Sequence, residues 1–599
     1  MTTHRTRGFA ALLTLSLLVA AGLTQASPAA AETPEPGRYI VQTTSEPSTD
    51  HQVDKMRTAG ASVDAQYTEV LQGFAAELDT RQLRKLQADP SVTSIVPDRR
   101  ISLTDSGGGG DKDLRAKGLK ASTVQTAVPW GLDRIDQRPT TGDGAYHYGT
   151  TGQGVTAFVV DSGIRMTHSD FGGRAVSGYD FVDGDSNASD CAGHGTHVAG
   201  TIGGSTYGVA KRVKLVSVRV FDCYGDAWYS DMIAGFEWVV KHKPSGPSVV
   251  NFSGGGPAES IVDRAVSNTI KAGIPVVVAA GNDTDDACAA SPSRLRSAIT
   301  VGASDSQDHS STFTNYGSCV DLFAPGTGVR SDSSTSNTGS AVKSGTSMAA
   351  PHVTGAVARY LQGHPFANPS QTAAAIVKDS TPNVLSLDYA SPNRMLYVDT
   401  RALALAPTRL ALRRDDAKKT ITVSWAPPTS PGGAPINLYQ VLRQGKDAAG
   451  VTAYKVNVAA TARSYTISKL KAGTAYTITV NAVTPVGAGA NASAKISLTA
   501  LPGKPKIKKP SSGSTKDKLT SITAHWSAPA AGAGPVGRYR VTVTDTKTKV
   551  STTETRSAAA RNAKIAKLTK KHTYTVRVQA YNVAGNGAWS TTSKKATAR

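Results

Sequence analysis

The chain has 599 residues, a formal net charge of +21 and only four cysteines. A chain of this length can form several domains. No stretch contains 18 consecutive apolar residues, so a membrane-spanning mature protein is not expected.

The first 31 residues have the pattern of a secretory signal. A basic start containing Arg5 and Arg7 precedes the apolar segment Phe9–Leu23, and Ala29–Ala31 offers a cleavage site of small residues. Because Arg5 and Arg7 are not adjacent, twin-arginine export is disfavoured. We therefore expect residues 1–31 to be removed and the protein to be exported to the extracellular space.

Residues 38–104 are predicted to form a small αβ unit in the order β-α-β-β-α-β. The predicted elements are strands Tyr39–Thr43, Val63–Tyr67, Gln72–Leu78 and Val92–Val96, and helices Asp50–Ala59 and Thr80–Ala88. This order is the ferredoxin-like pattern. A glycine-rich, charged stretch follows up to Lys120, and we expect it to be a flexible linker that proteases can reach.

Two polar residues then lie at the ends of predicted elements, Asp161 at the end of a strand and His194 at the start of a helix. The apolar run Val155–Val160 is typical of such a strand and ends at Asp161, which places a carboxylate at the strand's carboxyl end. His194 stands where a helix is predicted to begin, and glycines on both sides allow another backbone to come close. The strand end and the helix start are therefore predicted to fix the positions of the Asp161 carboxylate and the His194 imidazole.

Residues 344–352 read Ser-Gly-Thr-Ser-Met-Ala-Ala-Pro-His. We expect a helix opened by Ala349, with Pro351 in its first turn and Ser347 just before it. Orphan N–H groups at a helix start stabilise negative charge, so Ser347 is a candidate nucleophile. The alternative is a simple N-cap serine.

The chain order Asp, His, Ser is the order in which subtilisins carry the acyl-transfer triad. The segment 191–197 has an alternative interpretation as a zinc site, because Cys191, His194 and His197 are spaced as Cys-x-x-His-x-x-His. Catalytic zinc would need a further ligand and an open position, and it would leave Asp161 and Ser347 without a role. We therefore favour the triad, with His197 and His352 as structural residues.

The three blocks around Asp161, His194 and Ser347 resemble the signature segments of subtilisin-like serine proteases, and the spacing and cysteines resemble the proteinase K branch. The resemblance covers roughly residues 127–400. It implies a secreted serine endopeptidase that acts on proteins or peptides through an acyl-enzyme. His194 would be the general base, Asp161 would orient it, and Asn282 would be the side-chain donor of the oxyanion hole.

The resemblance also indicates the substrate cleft. Residues 248–256 resemble the family segment whose edge pairs with an extended peptide. Glycines there leave room for a bulky side chain, so we expect broad specificity with an apolar or aromatic P1 residue. The candidate substrate-binding residues are Ser253, Gly254, Gly255, Ala280 and Gly281.

By the same resemblance, the ferredoxin-like unit is an inhibitory propeptide that assists folding, and the mature chain starts between Thr104 and Ala127. Four cysteines allow three pairings. The pattern of thermostable proteinase K relatives implies Cys191–Cys223 and Cys288–Cys319. Disulfides are the default for an exported chain.

Structural calcium is a further expectation. Asp183, Asp185 and Asp190 lie in one polar loop, and carboxylate oxygens suit calcium. Asp321 matches the carboxylate of a family calcium site that backbone carbonyls near Arg296 and Ala298 complete. The alternative is a loop of solvated turn aspartates, because the EF-hand spacing is absent.

Beyond residue 400 the sequence contains an internal repeat. Trp425, Tyr439, Leu470 and Tyr476 recur about 100 residues later as Trp526, Tyr539, Leu568 and Tyr574. This pattern resembles two fibronectin type III sandwiches. Residues 401–599 carry 33 Lys and Arg against 6 Asp and Glu, which indicates either a polyanionic or insoluble binding surface or a solubilising charge without a partner.

The predicted fold is thus α/β, a subtilisin-like parallel sheet with flanking helices between a ferredoxin-like propeptide and two all-β sandwiches. The predicted segments are signal 1–31, propeptide and linker 32–122, catalytic domain 123–400, and sandwiches 406–500 and 503–599. We expect a monomer. Two other functions stay open, an inactive protease fold that serves as an adhesion scaffold and a processing protease of narrow specificity.

Overall fold

The computed structural model describes residues 35–103, 106–107, 124–514, 520–530 and 534–599. The predicted signal sequence and most of the predicted linker lie outside these residues. No helix in the described ranges is long and apolar enough to cross a membrane.

The N-terminal unit has the predicted ferredoxin-like order. It consists of strands Gly37–Thr43, Ser62–Tyr67, Gly73–Leu78 and Val92–Pro97 and helices Glu46–Thr58 and Thr80–Gln87. The strands form one antiparallel sheet in the order second, third, first, fourth. The first helix begins four residues before its predicted start, because Ser45 caps it and Pro47 lies in its first turn.

A nine-stranded sheet forms the centre of the catalytic region. In spatial order its strands are Ala175–Asp180, Lys214–Arg219, Thr156–Asp161, Ser248–Phe252, Val276–Ala279, Ile299–Ser304, Leu322–Pro325, Arg394–Met395 and Thr381–Pro382. All neighbours are parallel except the last pair. The edge strand Ala175–Asp180 is partly exposed, whereas the next six strands are buried almost throughout, as a sheet covered on both faces requires.

Helices cover both faces of this sheet. They are Trp130–Ile135, His194–Gly203, Tyr229–His242, Ser260–Lys271, Thr346–Gly363 and Pro369–Asp379. Side chains of the second and fifth of these helices share one apolar core. The third and fourth helices share the core on the other face with residues of the N-terminal unit, including Ile40, Tyr67 and Leu71. The N-terminal unit is therefore docked on the catalytic region through a common core.

Shorter elements border the sheet. They are strands Arg100–Ser102, Ser106–Gly107, Val124–Thr126, Ala145–His147, Asp226–Trp228, Gly256–Pro257, Ala290–Ser291, Val329–Asp332 and Ser340–Ser344, and 3₁₀ turns Ser169–Phe171 and Ala287–Ala289. Disulfides join Cys191 to Cys223 and Cys288 to Cys319, the pairing that the resemblance implies.

The tail forms two β-sandwiches, as predicted. The first has strands Thr408–Asp415, Thr420–Ala426, Leu438–Gln444, Ala453–Ala459, Ser464–Ile467, Ala475–Thr484, Gly487–Ala488 and Ala492–Ser497; the second has Lys506–Ile507, Ser511–Ser514, Thr520–Ser527, Arg538–Asp545, Ser551–Ser557, Asn562–Ala566, Thr573–Asn582, Gly585–Trp589 and Ala596–Thr597. The repeated residues occupy equivalent places. The ring centroids of Trp425 and Tyr439 lie 5.4 Å apart, and those of Trp526 and Tyr539 lie 5.3 Å apart.

Candidate active site

Asp161 and His194 form a buried pair at the carboxyl edge of the sheet. Nδ1 of His194 lies 2.6 Å from Oδ1 of Asp161, and both side chains are almost fully inaccessible to solvent. The Ser162 N–H also donates to Oδ1 of Asp161 at 2.7 Å. With Nδ1 protonated, the carboxylate fixes the ring orientation and leaves Nε2 as the basic nitrogen.

Glycines make the position of His194 possible. A Cβ on Gly195 would lie 2.1 Å from the carbonyl oxygen of Gly163, so only glycine allows this approach. Gly193, at the N-cap, has φ = 83°, a left-handed conformation. The Gly195 N–H donates to Oγ of Ser162 at 3.0 Å. Since Ser162 follows Asp161 directly, the helix start is tied to the strand that carries the carboxylate.

Ser347 lies inside the first turn of helix Thr346–Gly363, so the prediction that Ala349 opens the helix and Pro351 lies in its first turn is wrong. The cap comes from a distant segment. Oδ1 of Asn282 accepts hydrogen bonds from both the N–H and the hydroxyl of Thr346, each at 2.8 Å. A cap of this origin leaves no local sequence signal.

The same contact orients Asn282. With Oδ1 held by Thr346, the donor end of the amide, Nδ2, is the end directed away from the cap. Asn282 and Ser347 both line a cavity of about 450 Å³, as do all five predicted substrate-binding residues, Ser253, Gly254, Gly255, Ala280 and Gly281. A hydrogen-bond donor therefore lines the same cavity as the candidate nucleophile.

Ser253 contacts Ser347 twice, a pairing that the sequence did not indicate. The Ser347 hydroxyl donates to the Ser253 carbonyl at 3.1 Å, and the Ser253 hydroxyl donates to the Ser347 carbonyl at 3.1 Å. That carbonyl would normally accept the helical N–H of residue 351, but Pro351 has none. Asn251 donates to Oγ of Ser253 at 2.8 Å, so the contact belongs to a buried network.

The end of the N-terminal unit enters this cleft. Arg100–Ser102 pairs antiparallel with Asp226–Trp228, a strand that the sequence analysis did not single out. Ile101 is buried in the core that includes Phe221, and it lines the cavity. Beyond it, Ser106–Gly107 pairs antiparallel with the strand that ends at Ser344, three residues before Ser347. The chain thus pairs with two strands of the catalytic region, one of which ends three residues before the candidate nucleophile.

A single carboxylate on the catalytic side holds one loop of the N-terminal unit. Glu237 accepts backbone N–H bonds from Thr68, Glu69 and Val70 at 2.8–2.9 Å. Lys241 lies 2.9 Å from the same carboxylate. Burial acts to raise the pKa of Glu237, but these hydrogen bonds outweigh it and lower the pKa below its usual value.

Two further carboxyl groups meet at this interface, Asp98 on the N-terminal unit and Asp231 on helix Tyr229–His242. Burial raises the pKa of Asp98, although Ser230 and Arg38 donate hydrogen bonds to it. Burial also raises the pKa of Asp231 to about 7; Arg38 opposes this shift and the charge of Asp98 adds to it. Desolvation therefore disfavours the ionised form of both groups.

The structure does not bring the loop aspartates together as a calcium site. Asp183 lies 2.6 Å from Nη1 of Arg219, and Asp185 accepts the Asn187 N–H. Asp190 accepts hydrogen bonds from residues around the His194 helix, among them the Gly193 N–H at 2.7 Å. Within the described ranges no cluster of three or more His, Cys, Asp or Glu residues is arranged to hold a metal.

Asp321 is better suited to bind a cation than the three loop aspartates are. One of its oxygens accepts the Thr300 N–H at 2.9 Å, and burial raises its pKa to about 6 despite the nearby charge of Arg296. A bound cation would stabilise such a desolvated carboxylate. The zinc alternative is excluded, because Cys191 is bonded to Cys223 and His194 pairs with Asp161. Nε2 of His197 lies 3.0 Å from the Val329 carbonyl, a structural contact.

Known proteins share extensive sequence identity with this chain. The chain is 49% identical over 350 residues to the extracellular serine proteinase of Thermus sp. (strain Rt41A), a match that covers 58% of this chain and 81% of the relative. The Subtilase family matches residues 152–398. The chain belongs to the subtilase family. This subtilase is accordingly a serine endopeptidase.

Other matches cover the remaining parts. Peptidase inhibitor I9 matches residues 31–104, and the fibronectin type III domain matches residues 405–499 and 510–595. The subtilase is 45% identical over 355 residues to alkaline serine exoprotease A of Vibrio alginolyticus, covering 59% of this chain and 64% of that one. It is 40% identical over 333 residues to the subtilisin-like serine protease Pen c 1 of Penicillium citrinum, covering 55% and 78%.

Among solved structures, a cold adapted subtilisin-like serine proteinase is 48% identical, with a TM-score of 0.45; the match covers 45% of this chain and 98% of that one. By its family matches, the chain combines an I9 inhibitor propeptide, a subtilase domain and two fibronectin type III domains, as the sequence predicts.

Proposed function

We propose that Ser347, His194 and Asp161 form the catalytic triad of this subtilase. His194 takes the Ser347 proton as the hydroxyl attacks the scissile carbonyl, and Asp161 stabilises the imidazolium. The proton then passes to the leaving amine, which departs and leaves an acyl-enzyme that water hydrolyses. The observation that carries the proposal is the buried contact of 2.6 Å between His194 and Asp161.

Charge on the tetrahedral oxyanion needs donors that are already in place. We propose Nδ2 of Asn282 and the N–H of Ser347 for this role. The bonds from Thr346 to Oδ1 of Asn282 support the assignment, because they hold the amide in one orientation. The Ser347 N–H lies in the first turn of its helix, where backbone donors lack an intrahelical acceptor.

The test is chemical labelling. A fluorophosphonate probe should label Ser347 in the processed enzyme, and Ser347→Ala should abolish both labelling and propeptide release. Ser306→Ala, on an exposed turn, is the matched control and should behave like the unchanged enzyme. Robust proteolysis by the Ser347→Ala protein would refute the triad.

We propose broad specificity with an apolar or aromatic P1 residue. The glycines and alanines that line the cavity support this. Asp283, Asp285 and Asp286 line the same cavity, so a basic P1 side chain should also be accepted. Products cut from a mixed peptide pool test both statements, and exclusive cleavage at one sequence would favour the narrow processing protease.

The maturation cut is proposed to fall between Leu103 and Ser106. Pairing of Arg100–Ser102 with Asp226–Trp228, and of Ser106–Gly107 with the strand that ends at Ser344, supports this position. Mass-spectrometric determination of the mature N-terminus tests it. A start well beyond Ser106 would mean that a later cut, within the predicted range up to Ala127, defines the mature enzyme.

We also propose roles for the other segments of the chain, for calcium and for the tail. Residues 1–31 direct export, 32–122 form the propeptide and linker, and 123–400 form the catalytic domain of a monomeric enzyme. Calcium held at Asp321 stabilises the fold without entering the chemistry. The two sandwiches, 406–500 and 503–599, tether the enzyme to a polyanionic or insoluble surface. The 33 basic against 6 acidic residues of the segment 401–599 support this role.

A further inference from the structure

The second sandwich carries most of the charge of the tail. Residues 503–599 contain 20 Lys and Arg but only 3 Asp and Glu. Part of this charge lies on the outer side of the larger sheet, opposite the buried residues Tyr539 and Val541. We name this surface the arginine face and define it by five residues that are at least partly exposed: Arg538, Arg540, Arg577, Tyr581 and Trp589.

The arginines of this face are stacked on its aromatic rings. Arg538 pairs with Tyr581 across neighbouring strands, and its guanidinium carbon lies 5.1 Å from the ring centroid. Arg540 lies 6.0 Å from the same ring, and Arg577 lies 5.3 Å from that of Trp589. Stacking of this kind restrains the long side chains, so the guanidinium groups are held in position before any partner binds.

The fold itself does not require these residues. The first sandwich has the same strand pairing, and its equivalent positions are neutral: Leu438, Gln440, Thr479 and Val483. By contrast, the stacking of Arg463 on Tyr439 recurs in the second sandwich as Arg561 on Tyr539. The recurring pair belongs to the shared framework, whereas the arginine face is specific to the second sandwich.

The chemistry of the face suits an anion on a hydroxylated chain. Guanidinium groups bind carboxylate and sulfate bidentately. Hydroxyl groups of Thr542 and Thr553, 2.9 Å apart, lie on the same side of the sheet. No acidic side chain of the described strands points outward here. Glu554 pairs with the inward-facing Val541 on the neighbouring strand and so lies on the inner side of the sheet, and Asp545 is buried.

We propose that the arginine face binds an acidic polysaccharide, a linear glycan that carries carboxylate or sulfate groups. The inference rests on the proposed tether and assigns it to one surface. Single-stranded nucleic acid fits less well, since it needs free aromatic faces for its bases and those of Tyr581 and Trp589 are covered by guanidinium groups.

The experiment uses the full chain carrying Ser347→Ala, so that it does not digest itself, with immobilised heparin and polygalacturonate as probes. The face variant is R538Q/R540Q/R577Q. The matched control, K506Q/K508Q/K564Q, removes the same charge from exposed positions on the opposite sheet. At about 0.1 M salt we expect the face variant to lose affinity by roughly tenfold or more and the control by less than about threefold.

A charge-preserving variant, R538K/R540K/R577K, separates geometry from net charge. It should also lose affinity, by about threefold or more, because lysine lacks the planar fork. Equal losses in the glutamine face variant and its control would overturn the proposal, and so would undiminished binding by the lysine variant. Tighter, face-dependent binding of single-stranded DNA than of either glycan would also overturn it, in favour of nucleic acid.

Thermal unfolding of every variant checks that the sandwich stays folded. Failure of the triad would be visible separately, because the binding assay needs no active serine. In the Ser347-containing enzyme the face variant should hydrolyse a small soluble peptide at the unchanged rate.

Discussion

Asn282 combines two tasks in one side chain. Its oxygen caps the Ser347 helix, and its nitrogen is the proposed donor to the oxyanion. A substitution can therefore affect the stability of the fold, the rate of the reaction or both. The two contributions are separable, because aspartate keeps an oxygen for the cap but has no N–H to donate.

Asn282→Asp is predicted to lower kcat by about 10²–10³ while changing the melting temperature little. The loss corresponds to about 2.7–4 kcal/mol for one donor, a magnitude that comes from subtilisin itself rather than from this structure. Asn282→Ala should lower kcat similarly and should also reduce thermal stability, by about 0.5–2 kcal/mol for the lost cap. Steady-state kinetics and thermal melts of both variants, side by side, test this. Near-normal turnover in either variant would contradict the donor role.

Residue-level prediction from the sequence succeeded in part. Asp161 and His194 are where the patterns place them, since an apolar strand and a glycine-flanked helix start are local features. The start of the Ser347 helix was misplaced because its cap comes from Asn282. The loop aspartates were misassigned because Arg219, the partner of Asp183, lies on a strand that is distant in the sequence.

The contact between Glu237 and the loop of residues 68–70 holds the propeptide to the catalytic region. One carboxylate satisfies several backbone donors of the propeptide, and leaving buried donors without a partner is costly. This contact joins helix Tyr229–His242 to the segment between two propeptide strands. It should therefore contribute to inhibition without contributing to catalysis.

Glu237→Ala is predicted to weaken inhibition of the mature enzyme by separately added propeptide, raising the inhibition constant by about tenfold or more. Glu237→Gln keeps one acceptor oxygen and should have an intermediate effect. Lys241→Ala, at a partly exposed side chain, is the control and should change the constant little. Inhibition titrations measure this, and equal constants for all variants would show that the contact is dispensable.

Sequence patterns located most elements because periodicity and turn residues are local. They missed the pairing of Arg100–Ser102 with Asp226–Trp228, since short strands of mixed polarity acquire their structure only from each other. The larger tail sheets were predictable as strands. Which of their faces carries stacked arginines depends on register between strands, which composition does not encode.

At the scale of the whole molecule, the docked propeptide is predicted to bind less tightly as pH rises from about 4 to about 7. In the docked complex burial raises the pKa of Asp98 and raises that of Asp231 to about 7, so these two groups favour proton uptake on docking. Glu237, whose pKa the propeptide N–H groups lower, acts in the opposite sense, but only near its ordinary pKa of about 4.5. The stabilisation is fully present below the ordinary carboxyl pKa of about 3.9 and is lost as pH passes the raised values.

Inhibition constants measured across this range with added propeptide test the prediction. Asp98→Asn in the propeptide should flatten the dependence, because the amide keeps an acceptor for the Ser230 N–H but does not titrate. Asp54→Asn, on the exposed side of a propeptide helix, should leave it unchanged. Tighter inhibition at higher pH would contradict the sign.

Truncation after Thr400 is predicted to leave small-peptide turnover nearly unchanged but to lower thermal stability. The first sandwich packs against the end of the Ser347 helix, where a Cβ on Gly363 would lie 2.6 Å from the Val486 carbonyl oxygen. That contact is about 24 Å along the helix from Ser347, given a rise of about 1.5 Å per residue. Melting temperature and kcat of the truncated enzyme test both parts, and loss of turnover would make the sandwich part of the catalytic unit.

Pairing of two propeptide segments with the catalytic region of the same molecule determines the order of the proposed first reaction. Arg100–Ser102 and Ser106–Gly107 flank the proposed maturation cut and belong to the same molecule as Ser347, so that cut needs no encounter between two molecules. That cut is unimolecular, and its half-time does not depend on protein concentration. Destruction of the released propeptide requires two molecules to meet and slows on dilution. A dilute secretion would therefore hold enzyme that is cleaved but still inhibited.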